Sequence, residues 1–217
     1  MLKAVIFDLD GTLLNTLADL TAGVNYGLKT YGFPERTLDE IRSFIGNGVP
    51  TLVKRAAPFG TEPAIRQGIQ EAFTNYYMEH MYDYTAPYDG ITELLHTLKE
   101  AGLKTAIASN KLDEAVVKLN EIFFEGINDA AVGAPNDRKK PDPYVIDTAL
   151  TRLGLDASEA LYIGDTEVDL QTAANADINC VCAGWGFRTA DELYAVGAKK
   201  VFESPREFGE YVLRNIE

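Results

Sequence analysis

Asp8 and Asp10 stand two positions apart in VIFDLDGTL (5–13), where a run of apolar residues breaks into acids, a glycine and a threonine. A carboxylate can act as a covalent nucleophile and form an aspartyl-phosphate. A second carboxylate two residues on can give a proton to a leaving group and later take one from water. Comparable polar groups follow apolar runs elsewhere. Ser109 and Asn110 close TAIAS (105–109), Lys139 and Lys140 come after AAVG (130–133), Asp165 follows ALYIG (160–164), and Asp169 lies one helical turn further on. Clustered carboxylates raise one another's pKa values unless a cation sits among them. Carboxylates, a main-chain carbonyl and water suit Mg²⁺, which often also binds a substrate phosphate. A lysine and a hydroxyl nearby would balance the charge of that phosphate.

Such groups work together only if the fold brings them to one place. The runs AVIF (4–7), TAIAS, AAVG, ALYIG and INCVCA (178–183) are almost continuously apolar, which predicts strands covered on both faces, as in a parallel sheet. Helical patterns such as YDGITELLHTLKEAG, KLDEAVVKLNEIF and DPYVIDTALTRLG separate most of them, with Gly102 as a helix stop and Pro143 in a first turn. This alternation predicts an α/β doubly wound, Rossmann-like parallel sheet. In such sheets ligands bind beyond the carboxyl ends of the strands, which is where the four strands would deliver their polar groups. Residues 15–84 contain no strand candidate and read as a series of helices separated by turns at Gly32, Gly46 to Gly48 and Gly60. A helical block of roughly 70 residues is too long for an ordinary crossover. It predicts an inserted α-helical domain over 15–84 and an α/β core over 1–14 and 85–217.

Composition narrows the partners. The formal net charge is −13, so nucleic acid and anionic membrane are poor partners, and a bound anion would need a local positive site. The N-terminal sequence does not read as a signal peptide, and no apolar run approaches a membrane span. Cys180 and Cys182 are too close along the chain for a relaxed disulfide and make a poor zinc site alone. A cytoplasmic protein with reduced thiols is the expectation. Monomer and homodimer both stay open.

DLDGT, SN, KKPDP and GDTEVD resemble, in order and spacing, the four motifs of the haloacid dehalogenase superfamily, and the helical block resembles that superfamily's cap. FIGNGVPTLVKRA (44–56), SNK and GWGF are similar to its phosphoglycolate phosphatase group. The resemblance implies that Asp8 attacks phosphorus and binds Mg²⁺ through its other oxygen. Asp10 would be the general acid and base, with its carbonyl on the metal, and Thr12 would brace Asp10. Ser109, aided by the backbone of Asn110, would bind the phosphoryl oxygens. Lys140, favoured over Lys139 because it directly precedes Pro141, would neutralise charge on Asp8 and the phosphate. Asp165 would be a metal ligand, and Asp169 a ligand or a partner behind one. In the cap, Arg55, Gly46 and Asn47 are candidate substrate contacts.

The implied activity is Mg²⁺-dependent hydrolysis of a small phosphorylated metabolite, and Asp10 favours phosphoryl transfer over carbon–halogen cleavage. A β-phosphoglucomutase-like phosphotransferase and an inorganic pyrophosphatase share the machinery. A receiver-type phospho-aspartate switch is the non-enzyme alternative. His80 and His96, on separate helices with no partner acid in register, read as structural or surface residues, and Tyr76, Tyr77, Tyr82 and Tyr84 read mainly as core.

Overall fold

The computed structural model describes residues 1–135 and 137–216. In chain order, β1 (Ala4–Phe7) and β2 (Leu14–Asn15) lead into four helices, α1 (Leu17–Thr30), α2 (Leu38–Phe44), α3 (Val49–Ala56) and α4 (Pro63–His80). Then come β3 (Ala86–Pro87), α5 (Ile91–Glu100), β4 (Lys104–Ser109), α6 (Asp113–Phe124) and β5 (Ala130–Gly133). The chain continues through α7 (Tyr144–Leu153), β6 (Ala160–Gly164), α8 (Glu167–Asn175), β7 (Asn179–Ala183), α9 (Ala190–Ala195), β8 (Val201–Phe202) and α10 (Pro205–Leu213). Two compact units result: Met1–Leu14 with Pro87–Glu217, and Asn15–Ala86.

The first unit is the expected α/β fold. Its six-stranded sheet has the order β5-β4-β1-β6-β7-β8, and every strand pair is parallel. Successive strands step outward from β1 to one side and then from β6 to the other, so the order reverses beside β1, the place where such sheets bind ligands. All four residues of β1 are fully buried, as a central parallel strand requires. On one face Ala106, Ala108, Val132, Ile146, Ala149 and Tyr162 form a continuous core. Phe208 of α10 packs edge-on against Phe7 and Phe202. The short strands β2, β3 and β8 and the C-terminal helices α9 and α10 went unread in the sequence, because two-residue strands carry no periodicity. Cys180 is half-buried and Cys182 buried, and both thiols are free.

The second unit is built on α1 against α4. Gly27 allows the close approach, since a Cβ there would fall 2.7 Å from the Ile69 carbonyl oxygen. Two features differ from expectation. His80 does have an acid partner, Asp83, at 2.8 Å, and its ring stacks on Tyr76. Of the four tyrosines only Tyr77 is fully buried, while Tyr82 and Tyr84 are exposed. No helix among the described residues is long and apolar enough to cross a membrane.

Asp19, near the start of α1, is a buried carboxylate that closes this unit. It accepts from the Thr85 N–H at 2.8 Å, the Thr85 hydroxyl at 2.7 Å and the Tyr84 N–H at 3.1 Å. Asp19→Ala would leave these donors without their acceptor, so a loss of about 3 kcal/mol is expected in urea unfolding. A loss below about 1 kcal/mol would show that the donors find other partners.

Candidate active site

Asp8 is the first residue beyond β1, and its N–H still bonds to the Ile163 carbonyl of β6 at 2.9 Å. The sheet therefore fixes where this carboxylate points. Its Oδ1 accepts from the Leu9 N–H at 2.7 Å and from Lys140 Nζ at 2.9 Å. The same ammonium donates to Asp169 Oδ1 at 2.9 Å and to the Tyr162 hydroxyl at 2.6 Å, and that hydroxyl donates on to Asp169 Oδ1 at 2.7 Å. Lys140 is held from behind as well. Its N–H donates to Asn110 Oδ1 at 2.6 Å, and Asn110 Nδ2 reaches its carbonyl at 3.4 Å.

Asp169 is the third residue of α8, and its Oδ2 accepts the N–H and the hydroxyl of the N-cap residue Thr166 at 3.1 and 2.7 Å. It is thus a helix-capping acid and a member of the acidic cluster at once. Four hydrogen bonds occupy its two oxygens. Asp165 is fully buried at the end of β6. Its Oδ2 accepts the Phe187 N–H at 2.7 Å. Carboxylate oxygens of Asp8, Asp165 and Asp169 lie within 4.8 Å of one another.

Thr12 differs from expectation. Its hydroxyl bonds to Asp165 Oδ1, at 3.5 Å, and its carbonyl accepts Trp185 Nε1–H at 2.9 Å. The reason is the turn after Asp10, where Gly11 takes φ +82° and swings the chain toward β6. A Cβ on Gly11 would fall 2.1 Å from Asp165 Oδ2, and one on Gly186 would fall 2.3 Å from the Gly11 carbonyl oxygen. The segment GWGF (184–187) is therefore a clamp over Gly11, Thr12 and Asp165.

Asp10 has its own cation. Lys111 Nζ lies 3.1 Å from Asp10 Oδ2, and both groups are largely buried. Sequence reasoning missed Lys111 by placing it at the start of a helix. The helix begins at Asp113 with Leu112 as its N-cap, leaving Lys111 in the turn beyond β4. Ser109 ends β4, and its Oγ accepts the Lys111 N–H at 3.3 Å. Tyr162 was also missed, since it sits inside an apolar run and its partners are distant in sequence. Lys139, next to Lys140 in the same loop, is half-buried.

The remaining candidates lie in the helical unit. Arg55 donates to the Phe44 carbonyl at 2.8 Å and to Asn47 Oδ1 at 3.0 Å, so the structure joins Arg55 and Asn47 around the turn that contains Gly46.

Burial raises the Asp8 carboxyl to about 7, although Lys140 opposes the rise and Asp169 adds to it. Burial, then the charges of Asp169 and Asp8, push Asp165 well above the usual carboxylate range. Burial acts on Asp169 too, but Lys140, Tyr162 and Thr166 outweigh it and hold this carboxyl low. Lys140 is likewise opposed by burial, yet Asp169 and Asp8 raise it to about 12. An all-oxygen donor set whose members repel one another fits a hard divalent cation.

The model for the family described as haloacid dehalogenase-like hydrolase matches residues 5–183. A phosphoglycolate phosphatase of Aquifex aeolicus is 33% identical over 188 residues, 86% of each chain. An N-acetylmuramic acid 6-phosphate phosphatase of Pseudomonas aeruginosa is 29% identical over 95% of this chain and 92% of its own. A solved structure from Lactobacillus delbrueckii subsp. bulgaricus, described as a candidate phosphoglycolate phosphatase, superposes with a TM-score of 0.91 at 33% identity. That superposition covers 97% of this chain and 98% of the other.

The electrostatics predict a pH signature. Asp8 titrates near 7 in the fold against an ordinary value of 3.8, so the unfolded chain releases this proton first. The cation-free protein should lose stability as pH rises from about 4 to about 7. A divalent cation binds the ionised acids, so the rise in Tm it produces should be larger at pH 8 than at pH 5 in a thermal-shift series. An equal rise at both values would contradict this account.

Proposed function

The chain belongs to the haloacid dehalogenase-like hydrolase family and is a phosphoric monoester hydrolase; on that basis we propose that it is a Mg²⁺-dependent phosphatase of phosphoglycolate type. It would act on a small phosphorylated metabolite through a phosphoryl group carried on Asp8. The observation that carries this reading is the pairing of the two acids of DLDGT with separate buried lysines, Asp8 with Lys140 and Asp10 with Lys111. Two neighbouring carboxylates in different electrostatic surroundings can take different tasks.

Both hydrogen bonds to Asp8 fall on Oδ1, and Oδ2 is the oxygen that attacks phosphorus. As the P–O ester bond breaks, Asp10 gives its proton to the departing oxygen. Asp10 then takes a proton from water, that water attacks phosphorus, and the Asp8–phosphorus bond breaks to release phosphate. The Ser109 hydroxyl and the Asn110 N–H bind the transferring phosphoryl oxygens, and Lys140 lies against Asp8 to offset charge there. Tyr162 and Asp169 hold that ammonium in place. Asp8, Asp165 and the carbonyl of Asp10 are the groups that would hold Mg²⁺, with Asp169 acting from behind them because each of its two oxygens already accepts two hydrogen bonds. Bound there, Mg²⁺ supplies positive charge against the phosphate and the acids. Arg55 and Asn47 form the part of the helical unit proposed to meet the substrate. Two free thiols are in keeping with a reducing, cytoplasmic setting.

The test is phosphate release from phosphoglycolate, pyrophosphate, several sugar phosphates and p-nitrophenyl phosphate, with and without Mg²⁺. Wild type should require Mg²⁺ and prefer a small phosphomonoester. Asp8→Asn should lower kcat on the order of 10³-fold or more. An Asp8→Asn protein that keeps most of its activity would remove Asp8 from the reaction. Pyrophosphate as the best substrate, or isomer formation in place of phosphate release, would transfer the protein to one of the rival activities.

A further inference from the structure

We propose that Lys111 selects the substrate by binding a carboxylate on its leaving group, so that the preferred esters are phosphorylated small hydroxy acids. The inference rests on the phosphatase reading above. Among the described residues the buried cations are Lys111 and Lys140. They serve different acids. Lys140 Nζ touches Asp8 and Asp169, on the side where phosphorus is attacked. Lys111 Nζ lies 3.1 Å from Asp10 Oδ2. A general acid must come within hydrogen-bond reach of the oxygen it protonates. Lys111 is therefore one contact removed from the ester oxygen, on the side of the departing group.

Its position is built. The Lys111 N–H donates to Ser109 Oγ at 3.3 Å, and its carbonyl accepts the Ala134 N–H at 2.9 Å, which ties the turn to the ends of β4 and β5. Asp113, two residues on, accepts the Gly133 N–H at 2.8 Å and fixes the turn again. Arg188, the residue after the clamp segment, is paired with Glu167 at 3.3 Å, and its charge bears on Asp165. An ester whose carboxylate sits one carbon from the phosphorylated carbon brings a second negative charge close to the ester oxygen. In a protein of net charge −13 that group needs a local cation, and Lys111 is the buried cation that pairs with Asp10.

The test compares three esters of similar size. Phosphoglycolate, ethyl phosphate and phosphoethanolamine carry a negative, neutral and positive group on the leaving side. Wild type should prefer them in that order, with kcat/KM for phosphoglycolate about 30- to 100-fold above that for ethyl phosphate. Lys111→Met should collapse this ratio toward one, whatever it does to each rate through Asp10, and Lys111→Arg should keep most of it. If Lys111→Met turns over neither ester, the same ratio is read from binding constants by calorimetry in the Asp8→Asn background. A ratio that Lys111→Met leaves unchanged, or a wild type that does not discriminate, overturns the inference. Asp8-dependent hydrolysis of p-nitrophenyl phosphate without preference for phosphoglycolate overturns Lys111 alone. Hydrolysis that survives Asp8→Asn overturns the phosphatase mechanism instead.

Discussion

Three carboxylates meet where β1 and β6 end side by side, and their mutual repulsion is the constraint around which the α/β unit is arranged. The buried ammonium of Lys140 bridges Asp8 and Asp169 and so offsets part of that repulsion. The strands cannot relieve it, because parallel neighbours in register deliver their next residues to the same edge. Relief comes from groups recruited around the cluster: Tyr162 below, Thr166 at the helix start, Asn110 gripping the lysine backbone, and Phe187 on Asp165. Removing one member of such a network leaves the others buried and unmatched, so its cost exceeds that of a surface pair.

The arrangement also separates two tasks that begin as neighbours in sequence. Asp8 and Asp10 are two residues apart, yet Asp8 lies in the Lys140 network and Asp10 pairs with Lys111, which comes from the turn after β4. The separation comes from the backbone. Gly11 takes a conformation that only glycine adopts easily, and GWGF packs into the space that a side chain would otherwise occupy. The same close packing turns Thr12 to Asp165. One turn thus sets the surroundings of two acids and the orientation of a third.

Much of this was legible in the sequence because central parallel strands are short apolar runs, and polar residues at their ends stand out. Asp8, Ser109 and Asp165 could be placed at one sheet edge on that basis. Asp169 was legible twice over, since an acid three residues after Thr166 is also a capping pattern. What escaped notice depends on contacts distant in sequence. Tyr162 looks like any strand residue until its hydroxyl meets Lys140. Lys111 was absorbed into a helical pattern that begins two residues later. The bonding of Thr12 turned on a glycine conformation that no periodicity reports, and β2, β3 and β8 are too short to leave a pattern.

The central claim is that a covalent bond forms between Asp8 and phosphorus. Its direct test is rapid acid quench of the enzyme during turnover, followed by proteolysis and mass spectrometry. One added phosphoryl group is expected on the peptide that contains Asp8, present during turnover and absent once substrate is exhausted. Steady turnover with no label on that peptide, or with the label on another residue, would contradict it.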